Sequence, residues 1–217
     1  VKTNLNIDDD MRDLGISDVI LHVCDYCNLN QDDIPDLLEP FIQAAKELEA
    51  DGVQAITGSC GFMALFQKAV ASAVSVPVLM SSLVQIPLIH TLHGPGCRIG
   101  VLTAHSGSLT PEHFRQAGVP DAQIDALAIA GMENFPVFRK TILEGAAPVM
   151  DTDAVGAEIG AAAAAMTDGQ PLDALLLECT DLSVFARTVQ EAVSVPVYDI
   201  NSLIAYAAFC VRRNQWV

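Results

Sequence analysis

Short apolar runs alternate along the chain with longer stretches in which apolar positions recur every three or four residues. The runs at 19–23, 53–57, 76–80, 98–103, 124–129, 174–177 and 195–198 are bounded by turn signals, which predicts buried strands. The stretches at 35–49, 62–73, 82–92, 111–117, 153–166, 183–192 and 202–211 carry helical spacing. Thr110-Pro111-Glu112 is a helix start: a capping residue, proline at the first position and an acid in the first turn. Strand followed by helix, repeated, predicts parallel strands covered by helices, an α/β fold.

The chain also resembles itself. At an offset of 119, residues 55–78 lie over 174–197 with ten identities in 24 positions, where about two would arise by chance. They include Ala55/Ala174, Cys60/Cys179, Phe66/Phe185, Val70/Val189 and the run AVSVPV at 73–78 and 192–197. One inserted residue later, Ser82-Leu83 lies over Ser202-Leu203. Each copy reads strand, cysteine turn, helix, strand, helix. The expected architecture is therefore two pseudo-symmetric parallel-sheet α/β halves, at 1–95 and 96–217, with the site in the cleft between them. In this reading the opening strand of the second half, at 98–103, has no counterpart in the first, and the C-terminal helix packs back on the first half.

Composition narrows the functions that such a fold can serve. Hydrophobic residues make up 51% of the 217 and charged residues 18%, enough apolar surface for a large core. Eleven Lys+Arg against 27 Asp+Glu give a formal charge of −16, which argues against nucleic acid or an anionic membrane as partner. No apolar run approaches the roughly 20 residues of a membrane span. The first residues lack a basic-then-apolar leader pattern, and six cysteines without one read as free thiols in a reducing compartment. The expectation is a cytoplasmic protein, dimeric on base rates alone.

Ligands of parallel sheets bind beyond the carboxyl ends of the strands. Cys60 follows the strand at 53–57 in Thr57-Gly58-Ser59-Cys60-Gly61-Phe62, and Cys179 follows that at 174–177 in Leu177-Glu178-Cys179-Thr180-Asp181. Each thiol falls at the start of the next helix, where unpaired N–H groups favour thiolate and can hold a carboxylate. If the halves face one another, one thiolate removes a proton from an acidic carbon and the opposing thiol returns one on the other face. A single cysteine would more often be a small buried hydrophobe. Two at repeat-equivalent strand ends favour chemistry.

The segments GVQAITGSCGFMALF at 52–66, RIGVLTAHSGSLT at 98–110 and LLLECTDL at 175–182 resemble the aspartate/glutamate racemase superfamily. The resemblance covers most of 35–210. It implies a two-domain, pseudo-symmetric α/β enzyme that works without a cofactor, and in particular without pyridoxal phosphate. Relatives in that superfamily include hydantoin racemase, arylmalonate decarboxylase and maleate isomerase. Carried over, Cys60 and Cys179 are the two acid/base residues; Ser59, Gly61, Thr180 and Asp181 lie beside the substrate, and Thr103 and Ser106 offer hydroxyls to its carboxylate. The amino-acid racemases of the group commonly carry Cys-Asn-Thr at the first cysteine and Gly-Cys-Thr at the second. Here the motifs are Cys60-Gly61-Phe62 and Glu178-Cys179-Thr180.

Other signals are weaker. Cys24-Asp25-Tyr26-Cys27, near His22, lacks the second cysteine pair of a zinc site, so no metal is expected. Gly94-Pro95-Gly96 precedes its strand instead of following it, unlike a dinucleotide loop. His105 reads as a solvated loop residue, and Asp8–Asp10 as a solvated surface. The resulting expectation is an isomerase: a racemase or epimerase of a small carboxylate, an amino acid or close analogue, using Cys60 and Cys179. Two alternatives remain at this point. One keeps the fold but decarboxylates or isomerises a small diacid, and the other is a non-catalytic small-acid binding protein.

Overall fold

A computed structural model describes residues 34–146, 149–169 and 171–212. The strand expected at 19–23, the Cys24–Cys27 pair with His22, and Asp8–Asp10 lie outside the described residues. In chain order the elements are α1 (Ile34–Ala50), β1 (Ile56–Thr57), α2 (Gln67–Ala73), β2 (Val78–Leu79), α3 (Ile86–His93), β3 (Ile99–Thr103) and α4 (Pro111–Gln116). After these come α5 (Asp121–Ile124), β4 (Ala128–Gly131), α6 (Pro136–Phe138), α7 (Thr152–Gly169), β5 (Ala174–Leu177), α8 (Ala186–Ala192), β6 (Val197–Tyr198) and α9 (Ile200–Val211). Every strand pair is parallel: β1 with β2 in one sheet, and β4-β3-β5-β6 in the other. The α/β expectation holds. None of the helices among the described residues is long and apolar enough to cross a membrane.

The repeat in sequence is a repeat in register. Ile56 pairs with Val78 and Thr57 with Leu79, while Leu175 pairs with Val197 and Leu176 with Tyr198, each number displaced by 119. The same offset carries the 3-10 helix Gly61–Phe66 onto Thr180–Phe185, and α2 onto α8. Both helices expected to start in the cysteine turns thus open as a six-residue 3-10 segment before becoming α-helical.

Strand alternation then divides the interior. Ile99 and Val101 of β3, with Ala174 and Leu176 of β5, face a core built around Phe62, Phe66, Leu83 and Phe114. Leu102, Leu175 and Leu177 face a second core with Met132, Phe138, Val155 and Ile159. The central strands are consequently apolar on both faces, which is why they read as continuous hydrophobic runs. The first core also takes in Ile56 and Val78, so it does not stop at residue 95.

The strands expected at 53–57, 76–80 and 195–198 shorten to two residues each, and two further stretches differ from expectation. The run at 124–129 begins inside α5, which starts after Pro120, and only from Ala128 is it a strand. Ile124 and Leu127 reach the first core from this turn rather than from a sheet. The apolar pattern is therefore a guide to burial here and not to the type of element. The short α6, which opens with Pro136 at its first position, and the π-helical turn Arg139–Leu143 behind it lie outside the expected elements. The α6 N-terminus is capped from a distance, the Glu158 carboxylate of α7 accepting from Val137 N–H at 3.1 Å and Phe138 N–H at 2.8 Å.

Candidate active site

The carboxyl ends of β1, β3 and β5 converge, and the two cysteine turns leave them in equivalent shapes. Cys60 and Cys179 are each the extended residue that opens its 3-10 helix, with φ −142 and ψ 131 in one and φ −74 and ψ 132 in the other. The turns meet in antiparallel fashion. The hydroxyl of Thr180, just after the second cysteine, donates to the carbonyl of Ser59, just before the first. Gly61, just after the first, is pressed against Glu178, just before the second. Under the 119-residue offset these contacts exchange with one another, 59 becoming 178 and 61 becoming 180. That is the signature of a local two-fold axis. Cys60 and Cys179 stand on opposite sides of it.

Their surroundings are unlike. Cys60 is 9% exposed, among the apolar side chains of the first core. Cys179 is half-buried, and its thiol donates to the Asp181 carboxylate, Sγ to Oδ2 3.9 Å. Burial raises the Asp181 pKa, and the Cys179 hydrogen bond opposes that rise. A carboxyl so placed is a ready acceptor for the thiol proton.

Of the remaining expected residues, Thr103 is fully buried and its hydroxyl donates to Glu178 Oε2 at 2.7 Å. Ser106 donates both its hydroxyl and its N–H to the Glu133 carboxylate beyond β4. The structure therefore brings Ser59, Gly61, Thr103, Thr180 and Asp181 around the two cysteines, and sets Ser106 on Glu133. Both hydroxyls assigned to a substrate carboxylate here hold carboxylates of the chain itself.

Glu178 is the residue that sequence reasoning passes over as a site group. It is 1% exposed, and its backbone N–H donates to Leu102 O at 2.8 Å, as a continuation of β5. Ser82, buried at the start of the segment after β2, donates to Leu177 O at 2.8 Å and to Glu178 O at 3.4 Å. An acid directly after the apolar strand Leu175–Leu177 is the available signal.

His113 of α4 forms the floor under the first turn. It is 1% exposed, and its ring lies edge-on to Phe62 with centroids 5.2 Å apart. Nδ1 accepts the Thr110 N–H at 3.1 Å, which leaves the proton on Nε2, where it meets no hydrogen-bond partner among the described residues. Burial lowers the His113 pKa to about 4. Below pH 6.5 the unfolded chain protonates this histidine and the folded protein does not until about pH 4. The resulting stability is complete above pH 6.5 and falls away as pH drops towards 4, by roughly 3 kcal/mol. The raised carboxyls of Asp181 and Asp199 act in the opposite sense, the folded form keeping protons that the unfolded form has released. The histidine is isolated by difference: denaturant titrations at pH 5 and 7.5 show a stability loss in the wild type that His113→Phe lacks. Equal losses in both proteins remove the histidine from the account.

No protein-family model matches the chain. It is 34% identical over 187 residues to dimethylsulfoniopropionate lyase 3 of Emiliania huxleyi, covering 78% of this chain and 46% of that protein. It is 32% identical over 183 residues to a dimethylsulfoniopropionate lyase of Durusdinium sp. clade D, covering 82% and 58%. The chain thus spans about half the length of the curated relatives it matches. Among solved structures, a glutamate racemase from Bacillus anthracis superimposes with a TM-score of 0.58 at 16% identity, over 87% of this chain and 67% of that one. The aspartate racemase of Picrophilus torridus gives 0.52 at 18%, over 85% and 71%. The fold is that of the aspartate/glutamate racemase superfamily. The expected activity is corrected: the sequence relatives are lyases, so the reading as a racemase, epimerase or other isomerase does not stand. The physical reason is that removing a proton beside a carboxylate leaves the fate of the carbanion open. A carbanion with a leaving group on the next carbon eliminates it before a second thiol can return a proton.

Proposed function

We propose that this chain, with the fold of the racemase superfamily and lyases as its sequence relatives, is the catalytic part of a carbon–sulfur lyase. Its substrate class is the small β-sulfonio carboxylate, of which dimethylsulfoniopropionate is the representative. The observation that carries the proposal is the antiparallel meeting of two cysteine turns, with Asp181 accepting the Cys179 thiol proton.

Cys179 is the base. Asp181 draws off its proton, and the thiolate removes a proton from the α-carbon of the substrate. The electron pair of that C–H bond becomes the second bond between the α- and β-carbons. The β-carbon–sulfur bond breaks with its pair going to sulfur. The products are neutral dimethyl sulfide and acrylate, and the proton leaves Cys179 for solvent. Cys60, in apolar surroundings, remains a thiol. It donates to the substrate carboxylate as negative charge spreads onto it from the α-carbon. Backbone N–H groups at the starts of the two 3-10 helices complete that cradle. No oxidant, reductant or second substrate is needed.

The test is to incubate the purified chain with dimethylsulfoniopropionate and to measure dimethyl sulfide in the headspace and acrylate by proton NMR. Equimolar release of the two is expected. Formation of 3-hydroxypropionate as first product, or no release while the substrate binds, overturns the lyase reading.

A further inference from the structure

We infer that Glu178 is the specificity-determining residue of this site, a carboxylate seated between the two thiol turns in the room Gly61 leaves, selecting substrates whose leaving group is positively charged. This rests on the lyase reading for the identity of the reacting bond, and on geometry for the rest.

Gly61 and Glu178 form one unit. A β-carbon at 61 would collide with both the side chain and the carbonyl of Glu178. The acid therefore occupies the volume that a side chain after the first cysteine would fill. The racemase-like pattern puts asparagine at that first position and glycine at the second. In this chain the polar group comes from the other turn and is a carboxyl instead of an amide. The two departures in sequence are a single exchange in space.

Charge points the same way. The three strand-end turns at 57–62, 103–108 and 177–182 contain Glu178 and Asp181 and no lysine or arginine. Glu133 adds a third carboxylate through Ser106. A site built to read only a carboxylate would place a cation here. With Thr103 and Ser106 already on carboxylates of the chain, this one holds its substrate's anionic end with the Cys60 thiol and backbone N–H groups, and presents negative charge to the other end. Thr103 pins Oε2 of Glu178, and Gly61 lies against Oε1, so the group is held where the two turns meet.

The role is in binding. The sulfonium loses its charge as the carbon–sulfur bond breaks, so an attraction to that charge is stronger in the ground state than in the transition state. Glu178→Gln keeps the shape and an acceptor for Thr103 while removing the charge. The experiment compares wild type and Glu178→Gln in binding, by calorimetry, dimethylsulfoniopropionate and its carbon isostere 4-methylpentanoate, which keeps the carboxylate and lacks the sulfonium charge. Steady-state dimethyl sulfide release is measured on the same preparations. In the wild type the sulfonium compound binds at least about 10-fold tighter than the isostere. In Glu178→Gln that preference disappears, KM rises at least about 10-fold, kcat is not lowered, and affinity for 4-methylpentanoate stays within about twofold. Equal weakening of both ligands, or no preference in the wild type, overturns the inference. Absence of dimethyl sulfide release from a wild type that prefers the sulfonium compound sinks the lyase reading and leaves the role of Glu178 standing.

Discussion

In the proposed lyase, Cys179→Ser is expected to turn over dimethylsulfoniopropionate at least about 10³-fold more slowly than wild type, with an unchanged melting curve. A positioned general base contributes about 10² to 10⁴, and a hydroxyl is far too weak an acid for Asp181 to deprotonate as it does a thiol. Cys60→Ala removes a donor to developing charge and not the base, so its loss is smaller, about 10²-fold. The contrast comes from the different surroundings of the two sulfurs: Asp181 within 3.9 Å of Cys179, and apolar side chains around Cys60. Asp181→Asn bears on the same point, moving the activity profile of Cys179 to higher pH. Full activity in Cys179→Ser would remove the thiol from the chemistry. A larger loss in Cys60→Ala than in Cys179→Ser would reverse the roles.

Gly61→Ala destabilises the protein by about 1–3 kcal/mol and lowers kcat/KM about 10²-fold. The added methyl meets two parts of Glu178. Neither part yields easily: Thr103 pins the side chain, and the carbonyl is fixed because the N–H of Glu178 is tied to Leu102 O and Ser82 holds the two carbonyls at 177 and 178. The turns must therefore separate, and the Thr180–Ser59 clasp with them. A second substitution distinguishes the parts. Gly61→Ala combined with Glu178→Gly regains some of the lost stability but not all, and does not regain sulfonium affinity. The coupling is read from the four-protein cycle in denaturant. Independent, additive effects would mean that the two residues are not in contact.

The sequence shows the symmetry of the molecule more clearly than it shows its reaction. The offset of 119 can be counted from Cys60/Cys179 and AVSVPV, and it reappears unchanged in strand register and helix bounds. The buried faces of β3 and β5 are equally plain, since a strand covered on both sides reads as an unbroken apolar run. Short apolar runs are less decisive away from the sheet centre: 124–129 mixes a helical turn with a strand because either can bury Ile124. The site is half visible. Cysteines stand out as a residue type, and their place at strand ends comes with the fold class. Glu178 does not stand out, because its significance depends on what it touches, and Gly61 lies 117 positions earlier in the chain. Thr103 and Ser106 attract notice for their hydroxyls, and nothing in a linear string reveals that Glu178 and Glu133 already use them. The reaction is misjudged for a related reason. Paired thiols specify removal of a proton, and the next event is set by the substrate.

The imperfect two-fold axis through the cysteine turns has a stereochemical consequence. The α-carbon of a β-sulfonio propionate carries two mirror-related hydrogens, and a site with an equivalent base on both sides offers each of them an acceptor. Here the sides differ: Asp181 and Thr180 accompany one sulfur, Gly61 and Phe62 the other. In the proposed lyase the prochiral centre is presented to one base only, so the elimination would take the same hydrogen at every turnover even though acrylate keeps no record of which one left.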